Sequence, residues 1–551
     1  MFPRHRVLDL FCLVLATSPL ACAQNNLQIR VQNAQAQSGN LPLVLPAAPV
    51  RVKRNDSRIA TLQSRIRRAQ IFAAYRQLTQ IYIGLGRYDD AAQTLRAEAA
   101  QYRRKGLQDA AIIQDNKAAQ YQTDVRLFID APPPVTQSST RLAPLEPRNG
   151  CYLGAFIDRD DALGRAFFDE NGQSHGRHEN WAQMTGKAHA SYFMYLRYGQ
   201  RFPRLWVDSL KRLGVIPQIA WEPRDLNAVR DDAYLRRFAH EMARANCPVF
   251  VRFASEMNGF WTPYHQNPAL YREKFRLVHR VLHQEAPLCA TIWCVSNPPL
   301  GNIASYYPGD DGCDWVGVNF YSVPFHENDA RRAAFDENPL ALLDPIYKMF
   351  APRKPIAICE YAASHRAAVD NLSRPNFAID KLSLLYGALP RLYPRVKLID
   401  WFSMNTIRYA TAGKTRSDYT LSDDNRVLDA YRSAVREPCF LSQWNRNAPL
   451  VPRPLMAGQT VRNHVVLSIW SKTYVSRPKV YLQMAGKIVY ASNAPGAHTV
   501  ALDLRGFPKG RHNVSVFVFD DQNRFVRRID SSINIQPELP INATVAKRHS
   551  N

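Results

Sequence analysis

The chain has 551 residues, which is too long for one ordinary domain and predicts about two to four. Its 46% content of hydrophobic residues supports large buried cores and excludes an intrinsically disordered protein. The formal net charge of +24 is uneven, because residues 1–150 and 441–551 carry +10 each and residues 151–440 carry only +4.

The N-terminus is typical of an export signal. A basic start at residues 4–6 and an apolar centre at residues 10–16 precede small residues at 21–23, where cleavage would occur. We therefore assign residues 1–23 to a signal peptide and expect an exported protein, periplasmic or secreted. A lipid anchor on Cys22 is the alternative. No later apolar stretch approaches the roughly 18 residues of a membrane span.

Seven cysteines would remain after cleavage, so at least one thiol stays free in an oxidising compartment. A bridge between Cys247 and Cys289 and a bridge between Cys151 and Cys439 are two open alternatives, since geometry decides pairing. None of the cysteines has a CxxC or Cys/His spacing. The sequence therefore predicts no metal site and no cofactor.

The basic flanks favour an acidic polysaccharide or an anionic surface as a partner of an exported protein. The alternative is that the positive charge has no functional meaning and is shared by the other proteins of a generally basic proteome. Nucleic acid is not expected, because no recognition module is readable in the chain.

We interpret residues 24–54 as a linker and residues 55–130 as a helical module. Within the module, residues 74–91 resemble a tetratricopeptide repeat, with Gly86 ending one helix and two aspartates starting the next. Only one good repeat is visible, although solenoids normally need three or more. The module either binds a protein partner or serves as a spacer.

Residues 131–147 form a linker rich in Pro, Ser and Thr. Eight apolar, β-branched or aromatic runs follow within residues 148–440, with room for a helix after each. They lie at residues 151–157, 189–195, 215–221, 249–255, 290–296, 315–321, 355–361 and 397–403. Their number and spacing predict an α/β fold, a (β/α)8 TIM barrel.

A linker at residues 441–455 leads to alternating runs at residues 456–537, which predict a β-sandwich. Trp470 and Tyr481 of this domain are candidates either for carbohydrate stacking or for the core. Residues 538–551 are a tail.

Two of the barrel runs end in a glutamate. Strand alternation would place Arg252, Ala254 and Glu256 on one face of the fourth run, and Ile356, Ile358 and Glu360 on one face of the seventh. A carboxylate at the C-terminal end of a barrel strand lies where such barrels carry out chemistry. A buried arginine beside it needs a charge partner.

Four motifs in the barrel resemble glycoside hydrolase family 26, which contains β-mannanases and related retaining endo-β-glycanases. They are Val-Arg-Phe-Ala-Ser-Glu-Met-Asn-Gly-Phe-Trp (251–261), Tyr-Tyr-Pro-Gly-Asp-Asp (306–311), Asp-Trp-Val-Gly-Val-Asn-Phe-Tyr (314–321) and Lys-Pro-Ile-Ala-Ile-Cys-Glu-Tyr (354–361). The resemblance spans about residues 150–435 and does not extend to the flanking modules.

The resemblance implies a retaining β-glycosidase, with Glu256 as acid/base, Glu360 as nucleophile and Tyr321 beside the nucleophile. From their places at or near strand ends we also predict substrate contacts. These candidates are Trp221, Trp261, Trp293, Trp401, His189, Ser255, Asn319 and Tyr321. For each tryptophan, packing within the barrel is the alternative.

Ser255 departs from the family pattern, because mannanases of the family usually carry histidine directly before the acid/base. The expected substrate is therefore open among β-mannan, mixed-linkage β-glucan, xylan and an exopolysaccharide. The alternative function is a non-catalytic or trimming carbohydrate-binding component of exopolysaccharide assembly or secretion.

Overall fold

The computed structural model describes residues 31–33, 41–46, 56–69, 72–133, 142–410 and 416–537. The predicted signal peptide, most of the 24–54 linker and the C-terminal tail lie outside the described residues. Within the described ranges, no helix is long and apolar enough to cross a membrane.

The α-helices follow one another in chain order. They are α1 (Asp56–Ala69), α2 (Phe72–Gly84), α3 (Tyr88–Arg104), α4 (Gln108–Tyr121), α5 (His178–Thr185), α6 (Arg204–Arg212), α7 (Ala233–Ala245), α8 (Pro268–Glu285), α9 (Ile303–Tyr306), α10 (Pro339–Phe350), α11 (Pro375–Leu392), α12 (Thr406–Tyr409) and α13 (Asn425–Val435).

The strands are numbered in the same way. They are β1 (Val31–Asn33), β2 (Asp124–Ala131), β3 (Cys151–Arg159), β4 (Arg165–Phe168), β5 (Ser174–Gly176), β6 (Ser191–Arg197), β7 (Ile216–Glu222), β8 (Val249–Phe253), β9 (Cys289–Ser296), β10 (Trp315–Ser322), β11 (Ile356–Ala363), β12 (Arg366–Ala367), β13 (Val396–Met404), β14 (Ser417–Asp418), β15 (Phe440–Leu441), β16 (Val451–Pro454), β17 (Gln459–Val461), β18 (His464–Lys472), β19 (Lys479–Met484), β20 (Lys487–Ser492), β21 (Gly496–Asp503), β22 (Gly510–Phe519) and β23 (Phe525–Ile535).

Eight parallel strands close into a barrel, as the spacing of the eight runs predicts. The strand order is β3, β6, β7, β8, β9, β10, β11 and β13, and β13 pairs with β3 to complete the ring. A helix follows each strand and buries one apolar face against the sheet. Helix α8 begins at Pro268 behind an Asn267 cap, and its Tyr271, Phe275 and Val278 are buried.

The C-terminal region is a β-sandwich of two five-stranded sheets. One sheet has the order β1-β21-β18-β2-β16 and the other β17-β23-β22-β19-β20. Apolar side chains of both sheets, such as Leu467 and Val516, share one core. Trp470 and Tyr481 are buried, so neither offers an exposed stacking surface.

The sandwich includes three strands that the sequence predicts elsewhere: β2 in the helical module, β1 in the 24–54 linker and β16 in the 441–455 linker. Strand β2 runs antiparallel to β18 between Asp124 and Ile129, and its Leu127 and Ile129 enter the sandwich core. Strand β2 joins the sandwich because apolar residues alternate in this segment, as they do in a strand with one buried face. Helices α1 to α4 precede it, and the likeness to a tetratricopeptide repeat stays a prediction.

The sandwich packs directly on the barrel through helix α11. Arg391 of α11 is buried and pairs with Glu437 at 2.9 Å, while its guanidinium also donates to Ser468 and Thr499 of the sandwich. A buried arginine with its donors satisfied thus links the barrel to the sandwich.

All seven cysteines in the described part of the chain are free. Neither bridge considered from the sequence, Cys247 with Cys289 or Cys151 with Cys439, is formed.

The contact between α11 and β21 predicts a cost for one glycine substitution. Gly496 has a φ of +84°, and a Cβ there would lie 2.5 Å from the carbonyl oxygen of Ser383. Gly486 has a φ of +79° with nothing within 4 Å of the same position. Gly486→Ala should cost about 1 kcal/mol of unfolding free energy from backbone strain alone. Gly496→Ala should cost about 2–4 kcal/mol because the clash is added.

Urea unfolding of the full chain measures both variants. Equal losses for the two would show that the close approach of Gly496 to α11 does not exist.

Candidate active site

The two motif glutamates lie together at the C-terminal end of the barrel. Asn319 of β10 is the register partner of Glu360 on β11, and its side-chain amide donates to Glu256 Oε1 at 2.8 Å. Neighbouring strands are about 4.8 Å apart, so Asn319 lies next to both carboxyl groups.

Neither glutamate reaches its position by simple strand alternation, contrary to the sequence analysis. Strand β8 ends at Phe253, and both Ala254 and Glu256 have positive φ values, 49° and 59°. Strand β11 carries a bulge, because Val318 pairs with Ile358 and the next residue of β10 pairs with Glu360. Such irregularities re-aim side chains and are common beside active sites.

Hydrogen bonds to neighbouring strands hold the irregular turn after β8. The backbone N–H of Glu256 donates to the carbonyl of Cys294 at 2.9 Å. The carboxylate of Glu222, at the end of β7, accepts from the backbone N–H of Ser255 at 3.1 Å and from the Tyr264 hydroxyl at 2.6 Å. Burial raises the pKa of Glu222. Glu222 therefore positions the turn that carries Glu256.

Glu360 is surrounded by donors. Arg252 donates to its Oε1 at 2.6 Å, Tyr195 donates to the same oxygen at 2.6 Å, and Tyr321 donates to Oε2. Arg252 is fully buried, and its guanidinium carbon also lies 4.8 Å from the ring centroid of Phe193. Glu360 is therefore the charge partner that the sequence predicts for Arg252. Two phenols and a guanidinium therefore hold the side chain of Glu360 in place.

Glu256 has a different environment. Its Oε2 accepts from Trp261 Nε1 at 2.6 Å, and its other oxygen accepts from Asn319. Burial first, and then the negative charge of Glu360, raise the pKa of Glu256 to about 7. A carboxyl group that holds a proton near neutrality beside a paired carboxylate is the arrangement of a general acid beside a nucleophile.

Four of the predicted substrate contacts surround the two glutamates. Trp261 is 47% exposed and so presents part of its ring to solvent beside Glu256. Asn319 and Tyr321 hold the two carboxyl groups. Ser255 is buried, and its hydroxyl has no hydrogen-bond partner within the described residues.

The other three predicted tryptophans do not reach the site, and these predictions are wrong. Trp221, Trp293 and Trp401 are fully buried between the strands and the surrounding helices. Trp221 stacks on Phe238 of α7 with ring centroids 4.0 Å apart. Strand alternation explains this, because their even-numbered neighbours, such as Glu222, face the barrel interior.

Trp293 and Trp401 show the same outward orientation. Trp293 packs edge-on against Phe350 of α10 at 5.4 Å. Trp401 donates from Nε1 to the carbonyl of Tyr419 at 3.1 Å.

His189 is also misplaced by the sequence analysis. It precedes β6 and so lies at the N-terminal end of the barrel, away from the glutamates. Its Nε2 lies 2.8 Å from the Tyr431 hydroxyl and 3.1 Å from Trp181 Nε1. Burial lowers its pKa to about 3, as expected for a neutral structural histidine.

Tyr195 is the site residue that the sequence analysis missed. It is near the end of β6, in phase with the inward-facing Phe193, and that phase is the signal that would have found it.

Two neighbouring carboxyl groups at this end of a (β/α)8 barrel, one of them with a raised pKa, are the arrangement found in the class of glycoside hydrolases. The family model described as Glycosyl hydrolase family 26 matches residues 224–344, a stretch that contains Glu256 and ends before Glu360. This match confirms the resemblance of the central domain to that family.

Three known proteins are similar to parts of this chain. Endoglucanase H of Acetivibrio thermocellus is 24% identical over 268 residues, which are 45% of this chain and 27% of the relative. A β-1,3-xylanase of an Alcaligenes species is 30% identical over 80 residues, 14% of this chain and 17% of the relative. The solved structure of GH26C from a Muricauda species shows 14% identity and a TM-score of 0.38, over 53% of this chain and 87% of that one. The chain spans only about a quarter of the length of endoglucanase H.

The buried ion pair gives a stability prediction. Arg252→Met leaves the Glu360 carboxylate buried without its cation and should lower the free energy of unfolding by about 3–5 kcal/mol at pH 7. The double variant Arg252→Met/Glu360→Gln removes both charges and should be more stable than Arg252→Met alone.

Urea denaturation of the three variants and the parent chain measures this double-mutant cycle. A double variant as unstable as the sum of the two single variants would contradict a direct interaction between the two side chains.

Proposed function

We propose that the protein is a retaining endo-β-glycosidase that hydrolyses a β-linked polysaccharide by double displacement. The observation that carries this proposal is the contrast between the two glutamates: Glu360 is held by Arg252, Tyr195 and Tyr321, while the pKa of Glu256 is raised to about 7. The likeness to endoglucanase H and to a β-1,3-xylanase supports a β-linked substrate.

In the first step Glu360 attacks the anomeric carbon, and the bond to the leaving oxygen breaks. Glu256 gives its proton to that oxygen, so the departing sugar leaves as an alcohol. A covalent glycosyl ester on Glu360 results. Tyr321 and Arg252 keep the carboxylate oriented for this attack through their hydrogen bonds to its two oxygens.

In the second step Glu256 acts as a base. It removes a proton from a water molecule, which attacks the anomeric carbon and releases Glu360. Two inversions at one carbon give net retention of configuration.

The substrate is proposed from the surroundings of Ser255. Its small buried hydroxyl precedes Glu256, where mannanases of the resembling family usually carry histidine. We therefore place mixed-linkage β-glucan, β-1,3-xylan and an acidic exopolysaccharide beside β-mannan as candidate substrates. The half-exposed Trp261 supplies a ring face on which a sugar of any of these polymers stacks.

Proton NMR of the products on a panel of these four polysaccharides tests the proposal. The expected result is hydrolysis of one of them with initial release of the β-anomer. Initial release of the α-anomer would refute double displacement, and failure to hydrolyse any polysaccharide would favour a binding role.

Substitution of the glutamates separates their roles. Glu360→Gln should lower kcat by about 10⁴-fold or more, because no covalent ester forms. Glu256→Gln should lower kcat about 10²–10⁴-fold on polysaccharide and much less on an aryl glycoside whose leaving group needs no proton.

The matched control is Asp400→Asn. Asp400 is another carboxyl buried in the barrel, held by Gln218 at 2.8 Å, and burial raises its pKa to about 8. Because it is largely neutral at pH 7, the amide should preserve activity within about threefold. Equal losses of activity in Asp400→Asn and Glu360→Gln would show that Glu360 contributes no more to catalysis than another buried carboxyl group.

The pH profile reports the proton on Glu256. Because the acid must be protonated, kcat/KM should fall as the pH rises through about 7. Trp261→Phe removes a donor that stabilises the ionised form, so the pKa of Glu256 rises and this fall should move up by about 0.5–1 in pH.

Phe260→Leu is the control, since this neighbouring exposed aromatic has no hydrogen bond to offer. An unchanged profile in Trp261→Phe, or an equal change in Phe260→Leu, would show that the Trp261 hydrogen bond does not tune Glu256.

A further inference from the structure

Two histidines and an aspartate converge at the opposite end of the barrel from the glutamates. His279 and His283 are four residues apart on α8, so both side chains lie on one face of the helix. Asp314 directly precedes β10. Its Oδ2 lies 2.8 Å from His283 Nε2 and 4.0 Å from His279 Nδ1, and the three ligand atoms all lie within 4.8 Å of one another.

Thr291 of β9 orients this group. Its backbone N–H donates to Asp314 Oδ2 at 2.7 Å, and its hydroxyl lies 3.0 Å from the same oxygen and 2.7 Å from His279 Nδ1. These contacts hold His279 Nδ1 and Asp314 Oδ2 near each other, and a bound ion would take the place of the Thr291 hydroxyl between them.

The cluster is within reach of solvent, and neighbouring cations are engaged elsewhere. The side chains of His279, His283 and Asp314 are 17%, 31% and 10% exposed. Arg276 is paired with Asp311 at 2.7 Å, and Lys354 Nζ donates to the carbonyl of Cys313 at 2.7 Å. An ion therefore has access to the carboxylate without unfolding of α8.

We propose that His279, His283 and Asp314 bind one divalent ion of the zinc class. Two imidazoles and a carboxylate are the ligand set of zinc and its neighbours, whereas magnesium and calcium prefer oxygen ligands alone. Bonds of about 2.0–2.2 Å place zinc ligands roughly 3.3–3.6 Å apart in a tetrahedron. The observed 2.8 and 4.0 Å bracket that value, so small side-chain movements suffice.

The position of the cluster indicates a structural role. Residues at the N-terminal end of barrel strands contribute to stability and not to catalysis. An ion here joins α8 to the starts of β9 and β10. Cysteine spacings alone predict no metal site, whereas these ligands are a His-x-x-x-His pair and an aspartate 31 positions beyond His283.

The test uses the full-length, tag-free chain after removal of metal by a chelator. Calorimetric titration with Zn²⁺ should show one ion bound per chain, and saturation should raise Tm by about 3 °C or more. Co²⁺ should bind with the visible spectrum of a four-coordinate site that includes nitrogen. Mg²⁺ should bind far more weakly. A hexa-aqua Co²⁺ spectrum or equal binding of Mg²⁺ would overturn the proposal.

Two variants locate the ion. His283→Gln keeps a donor toward Asp314 and should weaken Zn²⁺ binding at least about tenfold. His240→Ala is the matched control, because His240 of α7 forms the same kind of pair with Glu285, at 2.8 Å, and should bind Zn²⁺ as the parent does.

A second group of His365, Asp418 and Asp423 supplies the competing explanation. Loss of Zn²⁺ binding in His365→Gln, with binding unchanged in His283→Gln, would overturn the proposal. If His283→Gln does not fold, His365→Gln decides: Zn²⁺ binding as in the parent chain supports the proposal, and loss of binding overturns it.

Discussion

The buried ion pair between Arg252 and Glu360 is the interaction on which the site depends. Arg252 lies inside the barrel with no exposed surface, so it needs an anion, and Glu360 supplies one at 2.6 Å. The negative charge fixed there acts in turn on Glu256, which has only neutral donors in Asn319 and Trp261. Burial first, and then this negative charge, raise the pKa of Glu256.

The same pair explains the irregular backbone around it. Arg252 is on β8 and Glu360 on β11, and two strands separate them in the sheet. The bulge in β11 turns Glu360 toward the guanidinium, and the left-handed residues after β8 bring Glu256 to the same end of the barrel. Strain of this kind persists where surrounding hydrogen bonds over-determine it, and here Glu222, Tyr264 and the Cys294 carbonyl supply them.

The sequence predicts the fold well because strand spacing is a local signal. All eight apolar runs are barrel strands, since each β-branched or aromatic run is followed by room for one helix. The two glutamates are predictable for the same reason. Strand β2 is assigned to the wrong module, because its partner β18 is more than 300 positions away. No local pattern reports such a pairing.

Side-chain orientation at strand ends is less predictable. Three of the predicted substrate contacts are one residue out of phase with the inward face, namely Trp221, Trp293 and Trp401. Strict alternation along each strand would have predicted that they point away from the barrel interior. The bulge at Glu360 and the positive φ of Glu256 depend on tertiary hydrogen bonds and break alternation without a sequence signal. The convergence of His279, His283 and Asp314 requires the contact between α8 and the start of β10.

Trapping of the covalent intermediate tests the central claim, that the carboxylate paired with Arg252 is the nucleophile. The protein is incubated with a 2-deoxy-2-fluoro-β-glycoside that carries an activated leaving group and the sugar of the hydrolysed polysaccharide, and its peptides are then analysed by mass spectrometry. We predict one added glycosyl mass on the peptide that contains Glu360. The same mass on a peptide that contains Glu222 or Glu256 would contradict the account.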